Sequence, residues 1–227
     1  MTNPIIIALD LESAAEARKL VRQIGGACRF YKVGLELYMS AGRPFVEELQ
    51  AEGNQVFLDL KMYDIGETVK RAVAQVAKMG VQFLTIHAVP QVMKAAIAGA
   101  EGSDLKLLAV TVLTSFDDDD LHEMGVASSV AELVEKRVRQ TLEARVHGLV
   151  CSPLEVAHVR QMTGPDSILV TPGVRSAGSA AGDQKRIATP AQAIASGASY
   201  LVVGRQVTRA ADPAAEVSRI LEETKEF

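Results

Sequence analysis

Cysteine is nearly absent from the 227 residues, which hold only Cys28 and Cys151. Two cysteines so far apart give neither metal-ligand spacing nor a disulfide framework, and they read as reduced core residues. Tryptophan is missing and aromatic residues make up only 4% of the chain. That leaves little with which to stack bases. The net charge of −4 supplies no basic field, which argues against a nucleic-acid partner. No apolar run approaches the length of a membrane span, since the first, Ile5 to Leu9, stops at Asp10. Nor does Met1-Thr2-Asn3-Pro4 carry the positive n-region of a secretory signal. These absences predict a cytoplasmic, soluble protein with neither a membrane nor a nucleic-acid partner.

What the chain does have is apolar material, 48% of its residues. That is enough for one large core. Length alone permits two domains, but no linker, low-complexity tract or shift of composition divides the sequence. Residues 1–227 therefore read as a single domain.

Short β-branched runs alternate with helical patterns along the chain. Ile5-Ile6-Ile7-Ala8-Leu9 is followed by Ser13 and Glu16 at capping-box spacing, and by an apolar face of Ala14, Ala17, Leu20, Val21 and Ile24. Strands are expected again at Phe30 to Val33, Val56 to Ile65, Phe83 to His87 and Leu107 to Val112, then at Gly148 to Cys151, Ile168 to Thr171 and Tyr200 to Val203. Phe45 and Leu49 mark the second helix, which stops at Gly53; Thr68 to Lys78 and Val92 to Ala100 are the third and fourth. Ser129 and Glu132 cap a longer helix, while Ser152-Pro153, Thr189-Pro190 and Asp212-Pro213 each give an N-cap followed by proline. The acidic run Asp117 to Asp120 suits a helix N-terminus rather than a metal site, because four adjacent aspartates on a helix cannot converge on one ion. Eight strands alternating with helices predict an α/β fold, a closed (β/α)8 TIM barrel. An open doubly wound sheet is the other arrangement that this alternation permits.

The third strand, Val56-Phe57-Leu58-Asp59-Leu60-Lys61-Met62-Tyr63-Asp64-Ile65, begins apolar and ends in charge. Alternation puts Asp59 and Lys61 on one face. Charges at the end of a buried strand are costly unless paired or used. In a barrel the carboxyl ends of the strands form the active site, and those ends carry Asp10, Lys32, Asp59, Lys61 and His87, with Thr114, Arg175 and Gly204-Arg205 just beyond. Ordinary barrel-mouth salt bridges would account for any one of them but less easily for the set. His87 has no partner at triad or metal spacing; it reads as a packing residue and is left out of the catalytic set. The stretch from Thr171 to Arg186, rich in glycine, alanine and serine, is longer than a βα turn requires. With Arg175 and Gln184 as donors it suits a lid over an anion, and Val203-Gly204-Arg205 adds a phosphate grip after strand eight.

By these residues the chain resembles the orotidine 5′-phosphate decarboxylase family over nearly its whole length. The most specific signature is Asp59-x-Lys61-x-x-Asp64-Ile65. It is accompanied in order by Asp10 in Ala-Leu-Asp, Lys32 in Tyr-Lys-Val-Gly, Leu113-Thr114-Ser115, Pro172-Gly173-Val174-Arg175, Asp183-Gln184 and Val203-Gly204-Arg205. The resemblance implies decarboxylation of a nucleotide monophosphate without metal or cofactor, in the last step of pyrimidine nucleotide synthesis. It implies that Lys61 protonates the carbon that loses carbon dioxide, and that Asp59 lies beside the departing carboxylate. Lys32 would hold Asp59 and the ribose, and Asp10 and Thr114 would contact substrate. Arg175, Gln184, Gly204 and Arg205 would hold the phosphate. Thr68 would contact the nucleotide, and Asp64 and Ile65 would act in the neighbouring subunit's site, making the protein a homodimer.

Two other readings compete. Related sugar-phosphate lyases carry a similar Asp-x-Lys-x-x-Asp stretch but hold magnesium with an acidic residue at the end of strand two, where this chain has Lys32. A phosphate-ligand sensor on the same barrel would keep Arg175, Gln184 and Arg205 but would not need Lys61.

Overall fold

The computed structural model describes residues 3–176 and 188–225. Its strands are β1 (Ile5–Ala8), β2 (Phe30–Gly34), β3 (Gln55–Met62), β4 (Phe83–His87), β5 (Lys106–Val110), β6 (Gly148–Val150), β7 (Ile168–Thr171) and β8 (Tyr200–Val203). They pair in parallel in chain order, and β8 returns to β1 through Ile5↔Leu201, Ile6↔Val202 and Ile7↔Val203. The sheet is therefore a closed barrel, and the open-sheet alternative is excluded.

Period-two alternation divides each strand between the barrel interior and the helical shell. Ile6, Ala8, Phe30, Phe57, Phe83, Leu108, Val170 and Val202 pack together inside. Rings that begin three of the strands close its floor: Phe30 and Phe83 lie 5.2 Å apart, and Phe83 and Tyr200 5.3 Å. Small residues, Ala8, Val150 and Val202, replace rings higher up and leave a hollow at the carboxyl end. The outward residues of β1 to β5 pack on α1 (Ala14–Ile24), α2 (Leu35–Ala51), α3 (Gly66–Ala77) and α4 (Pro90–Ala100). A second cluster joins Leu149, Leu169 and Leu201 to α6 (Val130–Glu143), α7 (Val156–Thr163) and α8 (Pro190–Ala195). Cys28 and Cys151 are buried thiols, and burial pushes the Cys28 thiol up to about 11. Among the described residues no helix is long and apolar enough to cross a membrane.

Several expected helix starts are present. Ser129 with Glu132 and Thr189 with Gln192 form reciprocal capping boxes, and Asp212 accepts from the Ala215 N–H. Ser13 accepts from Glu16 N as one half of the expected box. The acidic run is itself a capping box, Asp117 with Asp120, opening α5 (Asp118–Glu123). Asp118 also accepts from Val130 N at 2.7 Å. The start expected at Ser152-Pro153 needs correction, because α7 begins at Val156. Ser152 Oγ accepts from Leu154 N, two residues on, so the serine closes a turn instead of capping the helix. The second helix starts earlier than expected, at Leu35, and kinks at Gly42 before Pro44.

Candidate active site

The hollow at the carboxyl end of the strands is a cavity of about 870 Å³. Asp10, Lys32, Asp59 and Lys61 line one side of it, and Thr114 another. Arg175, Gly204 and Arg205 line the rim after β7 and β8. Eight of the expected residues thus meet in one place.

Lys32, at the middle of β2, is buried and reaches upward to Asp10 Oδ1 at 2.7 Å and Asp59 Oδ2 at 3.4 Å. Lys61 Nζ donates to both oxygens of Asp59 at 2.9 Å. Asp59, with its side chain 13% exposed, therefore lies between two ammonium groups. Burial disfavours its charge, yet Lys32, Lys61 and the hydrogen bonds from Lys61 and Thr85 outweigh that and hold its carboxyl below the usual range. For Lys32 burial works the other way from Asp59 and Asp10, and the two carboxylates prevail, so its ammonium is held on above the ordinary lysine value. The Lys32–Asp59 contact is an ion pair kept charged by its neighbours.

The end of β3 departs from a regular strand. Its register against β4 breaks between Leu58 and Met62, and Lys61 has φ 45°, in the left-handed region that side chains other than glycine seldom occupy. Asp59 and Lys61 meet as alternation suggested, but a bulge brings them together. Gly34, at the end of β2, supplies the space: a Cβ there would lie 2.9 Å from Asp10 Oδ1 and 3.0 Å from Lys32 Nζ.

Asp64, Ile65 and Thr68 stand apart. Asp64 accepts from Ile65 N at 2.6 Å and, with Thr68, lines a second hollow of about 300 Å³ between β3 and α3. Ile65 is 77% exposed. Within one chain these residues do not join the Asp59 cluster. His87 is half-buried with Tyr63 edge-on at 5.6 Å, and burial, followed by Arg137 and Lys61, pushes its imidazole below the ordinary value. Gln184 lies outside the described residues, as does most of the lid expected between Thr171 and Arg186.

The family model described as "Orotidine 5'-phosphate decarboxylase / HUMPS family" matches residues 3–220. The chain belongs to that family. Among curated relatives, the orotidine 5'-phosphate decarboxylases of Bradyrhizobium sp. (strain ORS 278) and Rhodopseudomonas palustris (strain BisB5) are 55% and 53% identical to it. Each match covers 96% of this chain, and 89% and 93% of the respective relatives. A crystal structure of orotidine 5'-phosphate decarboxylase from Lactobacillus acidophilus aligns with a TM-score of 0.87 at 38% identity, covering 98% of this chain and 99% of that one.

Three residues at the mouth of this decarboxylase-family barrel escaped the sequence reading. Arg209 lines the same rim as Arg175 and Arg205. Gly34 was visible only as part of a motif, with no hint that its missing side chain mattered. Thr85 is fully buried and bonded to Asp59. Its signal was present in Phe83-Leu84-Thr85-Ile86-His87, where a hydroxyl stands at an inward-facing position of an apolar strand.

Proposed function

We propose that this protein decarboxylates orotidine 5′-phosphate to uridine 5′-phosphate and carbon dioxide, the last step of pyrimidine nucleotide synthesis, without metal or cofactor. The observation that carries this reading is Asp59 held between Lys32 and Lys61 at the mouth of the barrel. The family match and the relatives' names support the same reaction. In it the bond from ring carbon to carboxylate breaks, the electron pair stays on the ring carbon, and Lys61 supplies the proton that the carbon takes up. A carbanion with no adjacent electron sink needs fixed positive charge nearby, and an ammonium already locked on Asp59 provides it without reorganisation. Asp59 lies by the departing carboxylate, while Lys32 orients Asp59 and reaches the ribose. Asp10 and Thr114 contact substrate. Arg175, Gln184, Gly204 and Arg205 take the phosphate, whose binding energy holds the reacting end in place.

The protein acts as a cytoplasmic homodimer of single-domain barrels, with Thr68 contacting the nucleotide, Asp64 and Ile65 completing the partner's site and Asp64 closing a Lys32–Asp59–Lys61–Asp64 array. Exposed apolar side chains that follow β2 and β3 support this: Leu35 is 57%, Met39 71%, Tyr63 66% and Ile65 77% exposed. Magnesium-dependent sugar-phosphate chemistry, the other activity of such barrels, is disfavoured by Lys32. Its ammonium occupies the place of a metal-binding carboxylate and would repel the ion.

The test follows the ultraviolet absorbance of orotidine 5′-phosphate with metal-free protein in excess chelator. Turnover is expected to persist, and Lys61→Ala is expected to lose at least about 1,000-fold, since it removes both the proton and the electrostatic term. Loss of all turnover on chelation would overturn the cofactor-free reading. A Lys61→Ala protein with unchanged turnover would overturn the assignment of the proton donor.

A further inference from the structure

Thr85 is the inward-facing middle residue of β4 and has no exposed surface. Its Oγ1 lies 2.9 Å from Asp59 Oδ1 and 2.9 Å from the backbone nitrogen of Lys61. The polarity of these two bonds is fixed by their partners. The Lys61 N–H can only donate and the ionised Asp59 can only accept, so the hydroxyl proton must point at the carboxylate. Thr85 is therefore a relay between a main-chain donor and a side-chain acceptor two residues apart on the same strand. At this point the β3–β4 register breaks, and the Lys61 N–H bonds the threonine hydroxyl. The same residue carries the left-handed backbone, a conformation that persists only where the surroundings impose it. Two other buried threonines satisfy their hydroxyls on backbone carbonyls, Thr111 on Val150 O and Thr141 on Arg137 O, while the Thr171 hydroxyl finds no partner among the described residues.

We propose that Thr85 is a positioning residue for decarboxylation, its hydroxyl fixing both the rotamer of Asp59 and the left-handed turn that aims Lys61. The inference rests on the roles given above to Asp59 and Lys61. Asp59 is faced by Lys32 from β2 with Asp10 behind it, by Lys61 from its own strand and by Thr85 from β4. His87 stands two residues further along β4 and senses Lys61. Of these groups Thr85 alone carries no ionisable proton. Its removal changes the field on Asp59 without removing a charge.

The experiment compares Thr85→Val, Thr85→Ala and Thr85→Ser in steady-state turnover across pH, with Lys61→Ala in parallel. Valine keeps the volume and loses the hydroxyl, serine keeps the hydroxyl, and alanine differs from serine by the hydroxyl alone. The last pair decides the matter even if the valine protein does not fold. The valine and alanine proteins are expected to lose about 10- to 100-fold in kcat, the worth of a hydrogen bond to a charged group, with KM little changed. Their acid limb moves to higher pH, because Asp59 without a donor needs a higher pH to ionise. Serine restores both. Equal kcat and equal acid limbs for alanine and serine, beside an inactive Lys61→Ala, would overturn the role of Thr85 while leaving the site intact. Full turnover by Lys61→Ala would instead sink the reading on which the role depends.

Discussion

Gly34 shows how much a single absent side chain decides. Its φ of −86° is open to any residue, so glycine is needed for space and not for backbone freedom. The atoms that a new Cβ would meet, Asp10 Oδ1 and Lys32 Nζ, are the tips of side chains. They can retreat without disturbing the fold. Lys32 is walled in while Asp10 is 58% exposed, so Asp10 is the one to yield. Gly34→Ala should therefore leave the circular-dichroism melt unmoved and lower kcat/KM by about 10- to 100-fold, the range expected when a substrate-positioning group is displaced by about an ångström. Unchanged kcat/KM would mean that the Asp10–Lys32 contact is incidental to turnover.

Helix endings carry the clearest lesson at the scale of elements. After α5 and α8 the chain stops in the Schellman manner, with a glycine at positive φ: Gly125 N bonds His122 O and Val126 N bonds Leu121 O, and Gly197 and Ala198 repeat the pattern. Helix α6 ends in the same way, Arg145 N to Leu142 O and Val146 N to Thr141 O, but the left-handed residue is Arg145, with φ 57°. An L-residue there costs about 1 kcal/mol, so Arg145→Gly should raise the thermal midpoint by about 2–4 °C with turnover intact. A lower midpoint for the glycine protein would show that the guanidinium compensates for its backbone. Elements were largely legible in the sequence because periodicity and caps are local signals. Thr189-Pro190 announced a helix and delivered one, whereas Ser152-Pro153, with the same letters, closed a turn. The difference lies in whether the hydroxyl takes the N–H two or three residues ahead, and composition does not record that. The bulge at Lys61 was illegible for a related reason: alternation reports which face a residue is on, and a two-residue slip between neighbouring strands keeps every face and so leaves no mark on either.

For the whole molecule, closure of the barrel brings strands distant in sequence to one mouth. Asp10 and Arg205 are separated by most of the chain yet line the same cavity. The charged strand ends could be listed from sequence once a barrel was assumed, but their pairings could not, since those depend on register and on the room beside Gly34. Neither could the partition between two hollows, with Asp59 inside and Asp64 outside. If the outer group serves a neighbouring subunit, specific activity should fall on dilution in step with dissociation measured by sedimentation. Activity that persists in a demonstrated monomer would remove Asp64 from the mechanism.

The left-handed backbone at Lys61 has a consequence that reaches beyond the site. Glycine is what the main chain would prefer there, and lysine is what the proposed chemistry requires. Both demands fall on one residue, so durability and turnover are set against each other at a single address. A screen that rewarded only resistance to heat would drift toward glycine at position 61. It would return a sturdier barrel that lacks the proposed proton donor.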